Sequence, residues 1–80
     1  MATVEQEIET LLLTIVEKVK VERKKRNISQ LKLSNILGFQ SPNYIAKIET
    51  KKHNVYYNIS HLYKISKAFN IELKYFFEDE

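Results

Sequence analysis

The chain has 80 residues, no cysteine and a hydrophobic fraction of 44%, which fits one small domain over 1–80, able to bury only about 60–65% of the surface its unfolded form exposes. Lacking cysteine, it has neither a disulfide framework nor a thiolate zinc site, and it suits a reducing compartment. The net charge is only +3, yet residues 18–52 carry ten lysines and arginines against Glu22 and Glu49, a local +8 that leaves −5 elsewhere. A basic middle of this kind fits a polyanion, and it equally fits a solvated face. No apolar run reaches the roughly 18 residues of a membrane span and no signal-peptide pattern opens the chain, so the expected setting is cytoplasmic, with no membrane partner.

From the amino end, Thr3 stands where it would cap a long first helix, with Glu5, Glu7 and Glu9 near the positive end of the helix dipole. Val4, Ile8, Leu11, Leu12, Ile15, Val16 and Val19 recur at spacings of three and four, the period of one helical face. Leu11, Leu12 and Leu13 are consecutive and cannot all face one core. The surplus apolar surface of about residues 4–16 either packs on other helices of this chain or joins a dimer seam. Lys24, Lys25 and Arg26 then offset the negative helix end, with Asn27 tolerating left-handed backbone; the same cluster is also suited to phosphate.

Residues 29–49 form two helix-sized segments around the chain's one glycine, a helix-turn-helix pattern. Ser29 is a good N-cap, Gln30 opens the helix, and Leu33, Ile36 and Leu37 make its apolar stripe. Gly38 follows directly, where a left-handed residue closes a helix without a Cβ penalty. Ser41 as N-cap and Pro42 at the first helical position start a second helix. Its Ile45 and Ile48 face inward, and Asn43, Ala46 and Lys47 face outward. A short helix with that outward arc fits the major groove of DNA, where Asn and Lys match base edges or phosphates. Spacing alone also fits an ordinary solvated helical hairpin.

After Glu49, residues 50–57 lack apolar periodicity and read as a loop rich in Lys51, Lys52, His53 and Asn54. Asn58 caps a fourth helix with Ile59, Leu62, Ile65 and Phe69 inward, and Asn70 stops it. Glu72 to Phe77 would form a last short helix with Leu73 and Phe76 closing a core or a partner surface, followed by Glu78, Asp79 and Glu80 as a frayed tail. Enzyme chemistry has little support. His53 and His61 are the two histidines, the carboxylates gather near the termini, and no phosphate-cradling glycine loop exists. The expectation is therefore no catalytic residue, no metal, no cofactor and no small-molecule substrate.

From about Val19 to Phe77 the chain resembles the Cro and phage-repressor type (XRE) helix-turn-helix regulators. The resemblance rests on Ser29, Gln30, Leu33, Gly38, the run Tyr44, Ile45, Ala46, Lys47, Ile48, Glu49, and then Leu62, Ile65, Phe69 and the segment Asn70 to Leu73 with Phe76. It departs in having Ser34 where the family commonly has Ala, Asn27, Lys51 and Asn70 where it commonly has Gly, and a turn before Ser41 one residue longer than the shortest. The resemblance implies an all-α, compact five-helix domain with an extended first helix, acting as a homodimeric transcriptional regulator on a near-palindromic double-stranded DNA operator. It implies base reading by Pro42, Asn43 and Lys47, with Ser41, Tyr44 and Ala46 adjacent. Gln30, Gln40, Lys51, Lys52, His53 and Asn54 would touch the DNA backbone, and Arg23 would pair with Glu49 across the core. Dimer contacts would come chiefly from Leu73, Tyr75, Phe76 and Phe77, with Leu11 and the amino-terminal extension contributing. A different class also fits: a protein-interaction module, such as the folded part of a toxin–antitoxin or restriction–modification control system.

Overall fold

A reciprocal cap sets the start of the longest element. Thr3 Oγ1 accepts from the Gln6 N–H at 3.1 Å, and Gln6 Oε1 accepts from the Thr3 N–H at 2.8 Å, which satisfies two donors that the first turn would otherwise leave open. From this cap α1 runs over Val4–Lys25. It is followed by α2 (Gln30–Ile36), α3 (Asn43–Thr50), α4 (Ile59–Phe69) and a 3₁₀ segment (Leu73–Phe77). The computed structural model describes residues 1–78, so Asp79 and Glu80 of the expected tail lie outside the described residues. Among these the fold is all-α, with four α-helices and one 3₁₀ segment in place of five α-helices. The last element closes through bonds three residues apart, Tyr75 N–H to Glu72 O and Glu78 N–H to Tyr75 O, the tighter winding usual for so short a piece.

The turns follow the chemistry of single residues. Leu37 caps α2, and the Gly38 and Phe39 N–H groups donate to the Asn35 and Ser34 carbonyls at 3.0 and 2.9 Å with Gly38 at φ 97°, a Schellman closure. Asn27, Lys51 and Asn70, at positions where the resembled family commonly has glycine, all adopt left-handed backbone at φ 55°, 61° and 56°. Asn does so readily; Lys51 lacks the short side-chain amide that helps.

Ile15, Val16 and Val19 of α1, Leu33 and Leu37 at α2, Ile45 and Ile48 of α3, Leu62, Ile65 and Phe69 of α4, with Tyr57 and Phe76, form one core. One expectation fails around it. Ile59 is 61% exposed; it stands at the rim of the inward arc in the first turn of α4, while Ser66 lies inside that arc. Val4, Ile8 and Leu11 are exposed as well, because the 7, 8 and 11 residues of α2, α3 and α4 are too short to flank a helix roughly 33 Å long. The first two turns of α1 therefore do not pack on this chain's own helices, whereas Leu12 and Leu13 are half-buried.

Lys18 and Glu22 of α1 and Arg26 at its C-cap, spaced four residues apart, fasten the carboxyl end. Glu22 accepts from Arg26 Nη1 at 2.6 Å and from the Tyr75 hydroxyl at 2.9 Å, Arg26 Nη2 donates to the Phe69 carbonyl at 3.1 Å, and Lys18 Nζ donates to the Tyr75 and Glu78 carbonyls. The Arg26 guanidinium holds the Glu22 carboxyl below the usual range against the opposing effect of burial. Phe76 beneath this clamp is fully buried, which corrects its expected place in a dimer seam: it has no surface to offer.

Ser34 is fully buried and its hydroxyl has no hydrogen-bond partner among the described residues. An unmade buried bond costs about 1–3 kcal/mol. Ser34→Ala is therefore expected to stabilise the fold by about 1 kcal/mol, read as a rise of several degrees in Tm by circular dichroism.

Candidate nucleic-acid interface

The interface is built outward from one buried pair. Arg23, near the end of α1, and Glu49, near the end of α3, meet with Nε to Oε2 and Nη2 to Oε1 both at 2.9 Å, their side chains only 9% and 4% exposed. Two parallel N–H···O bonds fix the guanidinium and carboxylate planes together, a geometry lysine lacks. The remaining valences are used: Arg23 Nη1 donates to the Ile28 carbonyl at 2.8 Å, and Gln30 Nε2 donates to Glu49 Oε1 at 2.8 Å. The pair thus ties α1, the turn after it, the start of α2 and α3 into one frame.

On that frame α3 begins one residue later than the sequence predicts. Pro42, at φ −77° and ψ −3°, occupies the N-cap position and its carbonyl accepts from the Ala46 N–H at 2.9 Å. Ser41 Oγ still accepts from the Asn43 N–H at 3.2 Å, so the hydroxyl closes the turn from one position farther out. Ile45 and Ile48 are fully buried. That leaves Gln40, Ser41, Pro42, Asn43 and Lys47 exposed along one side, with Tyr44 and Ala46 half-buried at its edge. The Tyr44 hydroxyl donates to the Tyr56 carbonyl at 3.4 Å.

The residues expected to touch a DNA backbone divide. Lys52, His53 and Asn54 are exposed in the loop after α3, but Gln30 is turned into Glu49 and the Lys51 ammonium pairs with Glu17 of α1. The hydrogen bond from Lys51 holds the Glu17 carboxyl below its usual range. Sequence reasoning missed Glu17, because nothing in the spacing links it to Lys51. On the α1 flank Lys20 and Lys24 join Gln30, Ala46 and Thr50 around a polar hollow, adding cations beside the exposed arc. Among the described residues, no group of three or more His, Asp or Glu is placed to hold a metal ion, and no helix is long and apolar enough to cross a membrane.

Two short helices joined by a turn that closes on a glycine make a helix-turn-helix. Residues 16–80 match the helix-turn-helix domain family, and the chain belongs to it. Comparisons with curated proteins and with solved structures found no match. The family supports DNA as the partner and is typically non-enzymatic. Its match starts at Val16, one residue after the first buried position of α1, Ile15, so the exposed first turns of α1 lie outside it.

Removing Arg23 leaves Glu49 buried with only Gln30 as partner. Arg23→Ala is expected to cost about 3–5 kcal/mol, well above the ~0.2–1 kcal/mol of an exposed pair. The double variant Arg23→Met with Glu49→Leu should recover most of that loss, since no lone charge remains buried. Urea unfolding of the three proteins measures both effects.

Proposed function

We propose that this protein is a sequence-specific, double-stranded DNA-binding transcriptional regulator of the Cro and phage-repressor (XRE) type, working in the cytoplasm as a homodimer on a near-palindromic operator. The observation that carries the reading is the exposed side of α3, with Asn43 and Lys47 presented beside Ser41 and Pro42 on a helix locked by the Arg23–Glu49 pair. Asn pairs bidentately with adenine and Lys with guanine in the major groove, and a locked helix loses little freedom on binding. Pro42, Ser41, Tyr44 and Ala46 shape the approach. Lys52, His53, Asn54 and Gln40 supply contacts to phosphates on either side. Lys51 reaches a phosphate by exchanging its Glu17 partner, and Gln30 contributes through the frame it braces.

Duplexes selected from a random pool provide the binding site for the test. Asn43→Ala and Lys47→Ala should each weaken the selected site by about 1–3 kcal/mol and relax the preference at one position. Lys52→Ala should weaken selected and random DNA by similar factors and lower the salt slope by roughly one. Wild-type affinity in both Asn43→Ala and Lys47→Ala would remove α3 as the reading helix.

Specific affinity at cellular salt asks for two reading helices about one DNA turn apart, about 34–36 Å. With Phe76 inside the core, the carboxyl-terminal seam of the proposed dimer consists of Leu73, Tyr75 and Phe77, and Leu11 lies on the exposed half of α1 beside Ile8. A self-complementary patch makes a two-fold dimer. Phe77→Asp is expected to yield a folded monomer in sedimentation. Leu11→Asp should fold too, because its side chain is already half in water; a monomer from Leu11→Asp alone would move the seam to α1.

A further inference from the structure

The side chain of Phe39 has no role in the account so far. Its backbone is fixed by the N–H bond to the Ser34 carbonyl that closes α2, and its ring remains 37% exposed. The ring is nonetheless held from behind. It packs on Tyr44 at 4.7 Å between centroids and on the edge of His61 at 6.0 Å, and Tyr44 meets His61 at 5.6 Å, within the range of favourable aromatic pairs. The Tyr44 hydroxyl is taken up by the Tyr56 carbonyl, so the surfaces that Phe39 and Tyr44 turn to the hollow beside them are ring carbon.

This hydrocarbon floors a shallow hollow at the amino end of α3, whose rim is Gln40, Ser41, Asn43 and Lys47. The rim belongs to the polar arc that the proposed function sets against base edges and phosphates. Single exposed apolar residues are ordinary; a braced aromatic surrounded by two amides, a hydroxyl and an ammonium is a mixed site with a definite chemistry. Its rim fits hydrogen-bonding edges and phosphates. Its floor fits neither, because both are polar. In the major groove the apolar group that a base pair presents is the 5-methyl of thymine, and Phe is among the side chains that contact it.

We infer that Phe39 and Tyr44 form an apolar seat for the 5-methyl group of a thymine in the operator half-site, so that the protein specifies thymine there by packing. The inference rests on the DNA-reading proposal above. It adds Phe39 as a specificity-determining residue and names the base feature that it takes.

Replacing thymine by uracil, one position at a time in a duplex selected from a random pool, removes that methyl and leaves Watson–Crick pairing intact. One thymine per half-site is expected to show a loss of about threefold to fivefold with the wild-type protein, the worth of a single buried methyl. Phe39→Ala should bring that thymine-to-uracil ratio to about one, while Phe39→Leu, which keeps an apolar floor, should retain most of it. Circular dichroism melts identify the folded variants, and Phe39→Asn serves in place of Phe39→Ala if the latter does not fold. A selected site that tolerates uracil at every thymine would overturn the methyl seat and leave α3 as the reading helix. An undiminished ratio in folded Phe39→Ala or Phe39→Asn would also overturn it, because the methyl would be read elsewhere. No preferred duplex at all would overturn the DNA-reading proposal and this inference together.

Discussion

The Arg23–Glu49 pair is the constraint on which the other features depend. Burying two charges is costly, and their attraction offsets that cost only when geometry is good and the remaining donors and acceptors are filled. Both conditions hold: two parallel bonds at 2.9 Å, with the Ile28 carbonyl and the Gln30 amide completing the set. The buried Tyr57 phenol belongs to the same region, its pKa pushed up first by burial and then by the Glu49 charge. α3 is only eight residues long and buries Ile45 and Ile48 as its apolar anchors, too little by itself to fix its roll. The ion pair supplies a direction as well as an attachment, and that direction decides which residues face out.

Charge is distributed along the molecule in a way that suits this orientation. Glu5, Glu7 and Glu9 occupy the projecting half of α1, while Lys20, Lys24, Lys47 and Lys52 gather around α3. A polyanion would be drawn toward the second region and repelled from the first. The Lys51–Glu17 pair sits at the boundary. It spends little stability, being partly exposed, and it tethers the end of α3 to α1 until a stronger anion competes for the ammonium.

Much of the fold was legible because it is local. Thr3, Ser29 and Asn58 cap helices through bonds to residues three positions on, and Asn27, Gly38 and Asn70 close them in left-handed backbone; each depends only on neighbours in sequence. Periodicity found the core but not its limits: Ile59 and the first two turns of α1 carry the right spacing yet stay exposed, since burial depends on how long the facing helices are. α3 starts one residue later than expected, with Pro42 at its N-cap and Ser41 Oγ accepting from the Asn43 N–H from outside the helix. Phe76 looked like a possible surface residue until the Lys18–Glu22–Arg26 clamp drew the 3₁₀ segment onto α1. For the site, the exposed arc of α3 followed from helical geometry, and the Arg23–Glu49 contact was implied by family resemblance, not by spacing, since 26 residues separate the two. The turning of Gln30 into Glu49 and the capture of Lys51 by Glu17 were not legible, because both depend on side-chain directions fixed only after the helices pack.

The most direct test of the account is a map of backbone amide shifts by nuclear magnetic resonance as a selected duplex is titrated into the protein. The account predicts shifts concentrated at residues 39–47 and 52–54, with the amides of Val4 to Leu11 unmoved apart from those at a dimer seam. A map centred on the acidic half of α1 or on α4, with α3 unaffected, would contradict it.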